Sequence, residues 1–180
     1  MHSASSEEEK LWLVNNKDEP VQDGWQWRSA KNWRDFRVIN AFIKNADGKL
    51  WIPRRTATKR VFPLCLDMSI GGHVEYGESY EDAFRRETFE EVRIDVTKTK
   101  ATLIGYLNPF EHDLSAWMKV WEICLDEVPS YNQNDFIEWN WMSPDEFRLH
   151  MQNGDKAKSD LPKLVDLFYP EGSEGPKTHL

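Results

Sequence analysis

The most informative segment of the chain is Gly72-His-Val-Glu-Tyr-Gly-Glu78-Ser-Tyr-Glu-Asp-Ala-Phe-Arg-Arg86-Glu87-Thr-Phe-Glu90-Glu91-Val-Arg-Ile94. Its pattern predicts a helix from about 79 to 92. Because a helix turns by about 100° per residue, Glu87, Glu90 and Glu91 fall within about 100° of one another. Three carboxylates therefore project from one face of the helix, beside a stripe that can pack on a sheet.

A solvated charged surface is the ordinary explanation of such a face, but the charge spacing argues against it here. The residue four positions after Glu87 is Glu91, and four positions after Glu91 comes Asp95. Like charges at this spacing cost about 0.2 to 0.5 kcal/mol, and a bound divalent cation would reverse the penalty. Carboxylate oxygens on a rigid helix suit Mg²⁺ or Mn²⁺, which commonly bridge to substrate phosphates.

Two adjacent glycines, Gly71 and Gly72, precede the helix. Without a Cβ, the backbone at these positions can approach a metal ion or a phosphate closely. Together with the acidic face, they predict metal-assisted attack of water on a phosphorus atom, in which cations neutralise a diphosphate and lower the pKa of the water.

The composition is that of one acidic domain. The chain has 180 residues, with 31 Asp and Glu against 23 Lys and Arg and a net charge of -8. This balance argues against general nucleic-acid binding, and the lack of an apolar run of about 18 residues argues against a membrane protein. No targeting segment is evident, so a cytoplasmic protein is expected. Cys65 and Cys124 lie in apolar runs and are expected to be buried, reduced thiols.

The periodicity predicts an α+β domain over residues 10–169, between mobile tails at 1–9 and 170–180. Asp47-Gly48 indicates a hairpin between strands at 36–43 and 50–55. Ser143 starts a second helix with the signature of a capping box. The remaining predicted elements are strands at 11–14, 101–107, 117–125 and 136–141 and a third helix at 160–168. A mixed sheet packed by helices is the expected architecture.

The quoted segment resembles the Nudix box, G-x5-E-x7-R-E-U-x-E-E-x-G-U, where U is aliphatic. Seven spaced positions agree: Gly72, Glu78, Arg86, Glu87, Glu90, Glu91 and Ile94. Thr88 departs from an aliphatic position, and Arg93 replaces the closing glycine. A left-handed helix end at Arg93 would cost about 1 kcal/mol, so we expect the chain to leave the helix differently there.

This resemblance implies a Nudix-type α/β/α sandwich and a hydrolase that cleaves the diphosphate linkage of a nucleoside diphosphate derivative or a related organic diphosphate, with Mg²⁺ or Mn²⁺ as cofactor. The implied metal ligands are the carbonyl of Gly71 and the side chains of Glu87, Glu90 and Glu91, with Glu78 and His73 as additional candidates. The implied catalytic residues are Glu87, Arg86, which would orient Glu87, and Glu90. The general base is left open between Glu87 and the loop acid Glu111.

Segments around the box resemble the isopentenyl-diphosphate isomerase-like branch of the superfamily. The isomerases place a reactive Cys before a Gly-His pair, where this chain has Gly71. Ser115-Ala-Trp-Met118 occupies the region of their acidic Glu-x-Glu. Without this acid and base pair hydrolysis is favoured, while an isomerase-like enzyme and a non-catalytic nucleotide-binding module remain alternatives.

Arg54, Arg55 and Gly72 are the candidate contacts for the substrate, because a guanidinium fork matches phosphate oxygens. Trp51, Trp117 and Trp121 are expected in the core. Trp25 and Trp27 lie in a polar segment, where they would either stack on a base or cover a neighbouring subunit in a homodimer. The expected partner is a small-molecule diphosphate whose identity the sequence leaves open.

Overall fold

The computed structural model describes residues 9–28, 31–32, 34–172 and 178–179. Eight strands and four helices follow in chain order: β1 Lys10–Val14, β2 Pro20–Trp27, β3 Arg37–Lys44, β4 Leu50–Arg55, β5 Ile70–His73, α1 Tyr80–Val92, β6 Ala101–Leu107, α2 Pro109–His112, β7 Trp117–Cys124, β8 Phe136–Met142, α3 Pro144–Gln152 and α4 Leu161–Phe168. The sequence correctly predicts most of these elements but misses β2, β5 and α2.

The central sheet is mixed, as expected. Its strands follow the order β6-β7-β3-β4-β8, and β5 pairs with β3. β3 runs parallel to β7, whereas its pairings with β4 and β5 are antiparallel. β4 meets β3 only at Lys44 and Leu50, so β5 occupies the neighbouring part of the same edge, opposite residues 38–41. This exchange of partners places the two glycines of β5 beside β3, where both remain partly exposed.

Helices cover both faces of the sheet and confirm the α/β/α sandwich. On one face, Ile39 and Ile43 of β3 pack with Phe84 of α1, and the Phe84 ring stacks on Trp121 of β7 at 4.3 Å between centroids. On the other face, Phe42 of β3 packs in one cluster with apolar residues of α3 and α4. Alternation along β3 thus supplies both halves of the core.

The range of α1 agrees with the helix predicted from about 79 to 92, whereas the expectation for the residue that follows the helix is wrong. Ser79 caps the helix, with its hydroxyl accepting a hydrogen bond from the Asp82 backbone N–H at 3.1 Å. At the other end, Arg93 adopts φ 58° and ψ 25°, the left-handed conformation that we expected it to avoid, and its N–H bonds to the Phe89 carbonyl. Arg93 therefore ends the helix in the backbone conformation that glycine usually adopts at this position.

A buried carboxylate anchors the hairpin of β1 and β2, which forms a separate two-stranded sheet. Asp18 lies in the turn of this hairpin and is 6% exposed. Its Oδ1 accepts from Arg37 Nε at 2.6 Å, and its Oδ2 accepts from the hydroxyls of Tyr80 at 2.9 Å and Tyr106 at 2.7 Å. One side chain thus joins the hairpin to β3, α1 and β6.

The predicted tails fall mainly outside the described residues. Of the described positions, the Glu9 carbonyl accepts from Arg28 N–H, and His179 bridges to Gly105 on β6. Both cysteines are free; Cys65 is buried as expected, whereas Cys124 is exposed, because it ends β7 where the sheet meets solvent. No helix in the described part of the chain is long and apolar enough to span a membrane.

Candidate active site

The two glycines of β5 allow α1 to lie directly against this strand. The backbone N–H of Gly71 donates to Glu91 Oε2 at 3.0 Å. A Cβ placed on Gly72 would lie 2.0 Å from both Cδ and Oε1 of Glu87. Any side chain at Gly72 would therefore displace the Glu87 carboxylate, and this position requires glycine for space rather than for an unusual backbone angle.

Arg86 connects several acidic side chains of the site. Its Nε and Nη2 donate to the two carboxylate oxygens of Glu78 at 2.7 and 2.9 Å. Nη1 donates to Glu87 Oε1 at 2.8 Å and lies 3.6 Å from Glu90 Oε2. Nη2 also donates to the carbonyl of His73 at 3.0 Å. One guanidinium thus fixes Glu78 and Glu87 relative to the end of β5.

Burial makes two of the carboxylates poor anions in the absence of a cation. Desolvation raises the pKa of Glu87 to about 7, although Arg86 opposes this shift. Desolvation, followed by repulsion from Glu87, raises the pKa of Glu91 well above its usual range. The unfavourable spacing of Glu87 and Glu91 inferred from the sequence is therefore present in the fold, where both carboxylates resist ionisation.

The donor set suits a hard divalent cation. Carboxylate oxygens and a strand carbonyl are the ligands that Mg²⁺ and Mn²⁺ favour, and a cation would relieve the repulsion between Glu87 and Glu91. Within the described ranges, no group of three or more His, Cys, Asp or Glu side chains is arranged to hold a metal as the side chains stand. Two of these carboxylates already have hydrogen-bond partners, since Arg86 donates to Glu87 and the Gly71 N–H donates to Glu91.

His73 lies among positive charges. Lys31 Nζ donates to His73 Nε2 at 2.6 Å, and His73 Nδ1 is buried without a hydrogen-bond partner among the described residues. Desolvation, and then Arg28, Lys31, Lys158 and Arg86, hold the pKa of this imidazole well below its usual value. Because these cations oppose another positive charge, the geometry lends no support to His73 as an additional metal ligand.

Arg54 and Arg55 are engaged within the protein. Arg54 donates to both oxygens of Asp155 at 2.9 Å and to Glu138 at 2.5 Å. Arg55 donates to the buried carboxylate of Asp67 at 2.6 Å. The predicted contacts of these guanidinium groups with a diphosphate would first require these ion pairs to break.

The sequence reasoning missed Asp67 and Lys158, which stand beside the acidic groups. Lys158 Nζ lies 3.4 Å from Asp67 Oδ1 and 3.5 Å from the position that a Cβ on Gly71 would take. The bridge between Leu66 and Ala157 brings the two segments together. Such a contact between positions about ninety residues apart has no local signature, so no sequence signal marks Lys158.

The tryptophans divide as expected between core and surface. Trp51, Trp117 and Trp121 are at most 6% exposed, which confirms their place in the core. Trp25 and Trp27 are 40% and 42% exposed on β2, with ring centroids 5.0 Å apart. Whether these two rings stack on a base or cover a second subunit remains a prediction.

Comparisons with known proteins agree with this geometry. A profile of the NUDIX domain matches residues 34–164. An uncharacterized Nudix hydrolase of Nostoc sp. is 57% identical over 135 residues, which cover 75% of this chain and 80% of that protein. The crystal structure of DR0079 from Deinococcus radiodurans has 41% identity and a TM-score of 0.86, covering 89% of this chain and 99% of that one.

The similarity to isopentenyl-diphosphate isomerase is more limited. The Escherichia coli enzyme is 33% identical over 92 residues, which correspond to 49% of this chain and 50% of that protein. The isomerase-like branch is thus only distantly indicated, whereas the Nudix match spans most of the fold. The chain belongs to the Nudix family and is a hydrolase of phosphoric anhydride bonds.

Proposed function

We propose that this chain is a divalent-metal-dependent hydrolase that cleaves the diphosphate linkage of a nucleoside diphosphate derivative or a related organic diphosphate. The observation that carries the proposal is the seating of Glu87 against Gly72. There a Cβ would lie 2.0 Å from Oε1 of the carboxylate, and Arg86 donates to the same oxygen at 2.8 Å. A carboxylate held in this way beside two residues without side chains can bind a metal ion and a phosphate, whereas it contributes little to packing.

The residues that would hold the metal are the Gly71 carbonyl, Glu87, Glu90 and Glu91, with Glu78 at the edge of the site. A bound Mg²⁺ or Mn²⁺ supplies charge neutralisation of the diphosphate and a more acidic water. Arg86 positions Glu87 and Glu78, since it donates to both. The partial burial of Glu87 and Glu91 strengthens their attraction for a cation, because the local dielectric is lower than that of water.

The general base remains open between Glu87 and Glu111. Glu111 lies on the short helix α2, is exposed, and accepts from the Asn108 side chain at 3.1 Å. Glu87 lies within the acidic group itself, whereas Glu111 lies on a separate element. We therefore favour Glu87, and Glu111→Gln is expected to keep most of the activity.

The test is a phosphate-release screen with Mg²⁺ or Mn²⁺ over nucleoside triphosphates, nucleotide sugars, dinucleotides and isoprenoid diphosphates, using a coupled phosphatase where the product is a monoester. Wild type is expected to release phosphate from at least one class, and Glu90→Gln is expected to lose about 100-fold in kcat. Glu127→Gln, an exposed acid after β7, is the matched control.

Two results would contradict the proposal. Equal inertness of wild type and Glu90→Gln on every compound would favour a binding module. Allylic product from isopentenyl diphosphate would favour the isomerase-like alternative, although Gly71 stands where the isomerase thiol is expected and Cys65 and Cys124 lie on other segments.

A further inference from the structure

A group of positive charges surrounds the end of β5. Arg28 follows β2, Lys31 lies four positions after β2 ends, and Lys158 lies between α3 and α4. Lys31 Nζ lies 2.6 Å from His73 Nε2, and Arg28 lies three positions before Lys31 in the chain. Lys158 also neighbours Gly71, which places the group next to the carboxylates of α1.

The cations of this group differ in how well they are paired. Arg28 Nη1 donates to both oxygens of Glu9 at 2.9 Å, and Lys158 lies 3.4 Å from Asp67. Lys31, by contrast, forms no ion pair with a carboxylate of the described residues. Its ammonium contacts His73 Nε2 at 2.6 Å and lies 4.5 Å from the centroid of the Phe36 ring.

The absence of a carboxylate at Lys31 has an electrostatic cost. Burial, followed by repulsion from Arg28 and Lys158, lowers the pKa of Lys31 to about 8, and Glu9 opposes this shift. A partly buried ammonium that faces two other cations without a close counter-ion is destabilising on its own. A bound anion would remove this cost, and phosphate oxygens can accept from several cations at once.

We propose that Arg28, Lys31 and Lys158 form an anion subsite that binds a phosphate group of the substrate, with Lys31 as the cation that the substrate neutralises. The inference rests on the proposed function, because it assumes that the adjoining carboxylates hold the metal. Since Lys158 lies beside Gly71, a diphosphate can contact the metal through one phosphate and this subsite through the other. The substrate class is therefore one with an accessible second phosphate.

A merely structural role for Lys31 leads to a different expectation. If Lys31 served to pack on Phe36 and His73, its removal would lower the midpoint of thermal unfolding of the free protein. If it is kept for an anion, Lys31→Met removes an unpaired buried charge, and the midpoint stays equal or rises. Stability of the free protein and affinity for the anion thus move in opposite directions under our proposal.

The experiment measures binding of methylenediphosphonate, a diphosphate analogue that cannot be hydrolysed, by isothermal titration calorimetry with Mg²⁺ present. Lys31→Met is expected to weaken binding at least tenfold, and Lys31→Arg is expected to retain most of it. Lys98→Met removes the same charge from a side chain that is 82% exposed, and it is expected to bind like wild type. Unfolding of each free protein is followed in parallel.

Several outcomes would overturn the subsite: no binding to wild type, equal binding to wild type and Lys31→Met, or weaker binding together with a lower unfolding midpoint. The inference and the proposed function fail in distinguishable ways. Binding that depends on Lys31 without phosphate release from any compound supports the subsite and contradicts hydrolysis. Hydrolysis with the same KM in Lys31→Met supports the enzyme and overturns the subsite.

Discussion

Replacement of Glu87 by Gln should make the metal-free protein more stable at alkaline pH. The folded state holds the pKa of Glu87 at about 7, against 4.5 for an unperturbed Glu. The folded state thus binds this proton more tightly, so the free energy of unfolding is highest below about pH 4.5, falls as pH rises to about 7, and stays lower above. The difference amounts to about 3 kcal/mol.

In EDTA, we expect Glu87→Gln and wild type to be equally stable near pH 4.5 and to differ by about 3 kcal/mol at pH 8, with the variant more stable. For a domain of this size that difference corresponds to about 6 to 12 °C in Tm. Urea titrations at each pH measure the free energy, and far-UV circular dichroism measures Tm. Glu90→Gln is the matched control; this side chain is 57% exposed and should change stability by less than about 0.5 kcal/mol.

Saturating Mg²⁺ should reverse the order of the two proteins. A ligand at about 1,000 times its Kd stabilises the folded state by about 4.1 kcal/mol, which exceeds the difference of about 3 kcal/mol, and only wild type retains the full set of carboxylate ligands. A difference between Glu87→Gln and wild type that stayed constant from pH 4.5 to 8 would refute the argument that desolvation of this carboxylate opposes folding. So would a variant less stable than wild type at pH 8 in EDTA.

Four further substitutions test separate features. Gly72→Ala should lower kcat about 100-fold, because the new Cβ displaces Glu87, while circular dichroism shows an intact fold. Arg93→Gly should stabilise the protein by about 1 kcal/mol in urea titrations without changing kcat, since glycine adopts the left-handed helix end without strain. Asp18→Asn should cost about 3 kcal/mol, because it leaves buried donors without a charged acceptor; an unchanged urea midpoint would contradict this. Arg54→Met should lower the free energy of unfolding by about 2 kcal/mol and leave KM unchanged if the ion pairs of Arg54 are structural. A raised KM at unchanged stability would instead indicate that Arg54 contacts the diphosphate.

The sequence predicts the parts of the fold that depend on neighbouring residues. Ser143 caps α3 with the predicted capping box, and Asp47-Gly48 forms the expected hairpin turn, because each signal acts within a few positions. β5 was missed because Ile-Gly-Gly-His has little strand propensity by itself, and pairing with β3 makes it a strand. β2 was missed because a largely exposed strand lacks the alternation that reveals a buried face.

The acidic face of the candidate site could also be predicted, because a single helix supplies it. Its surroundings could not, since they depend on contacts between distant segments. Arg86, for example, pairs with Glu78, eight positions earlier in the chain, as well as with its neighbour Glu87. Lys158 reaches β5 only through the packing of the segment before α4, and nothing in its local sequence indicates this.

Because Asp18 anchors the hairpin of β1 and β2, the sequence of this hairpin can change separately from that of the acidic helix α1. The hairpin lies before the matched range 34–164, yet its C-terminal end leads to Arg28 and Lys31. If the proposed anion subsite is correct, substitutions there should alter which anions bind while the carboxylates of α1 stay unchanged, provided that Asp18 keeps the hairpin docked. The protein is therefore suited to grafting: an exchanged hairpin that retains Asp18 should transfer substrate preference between relatives while leaving the chemistry of the acidic helix in place.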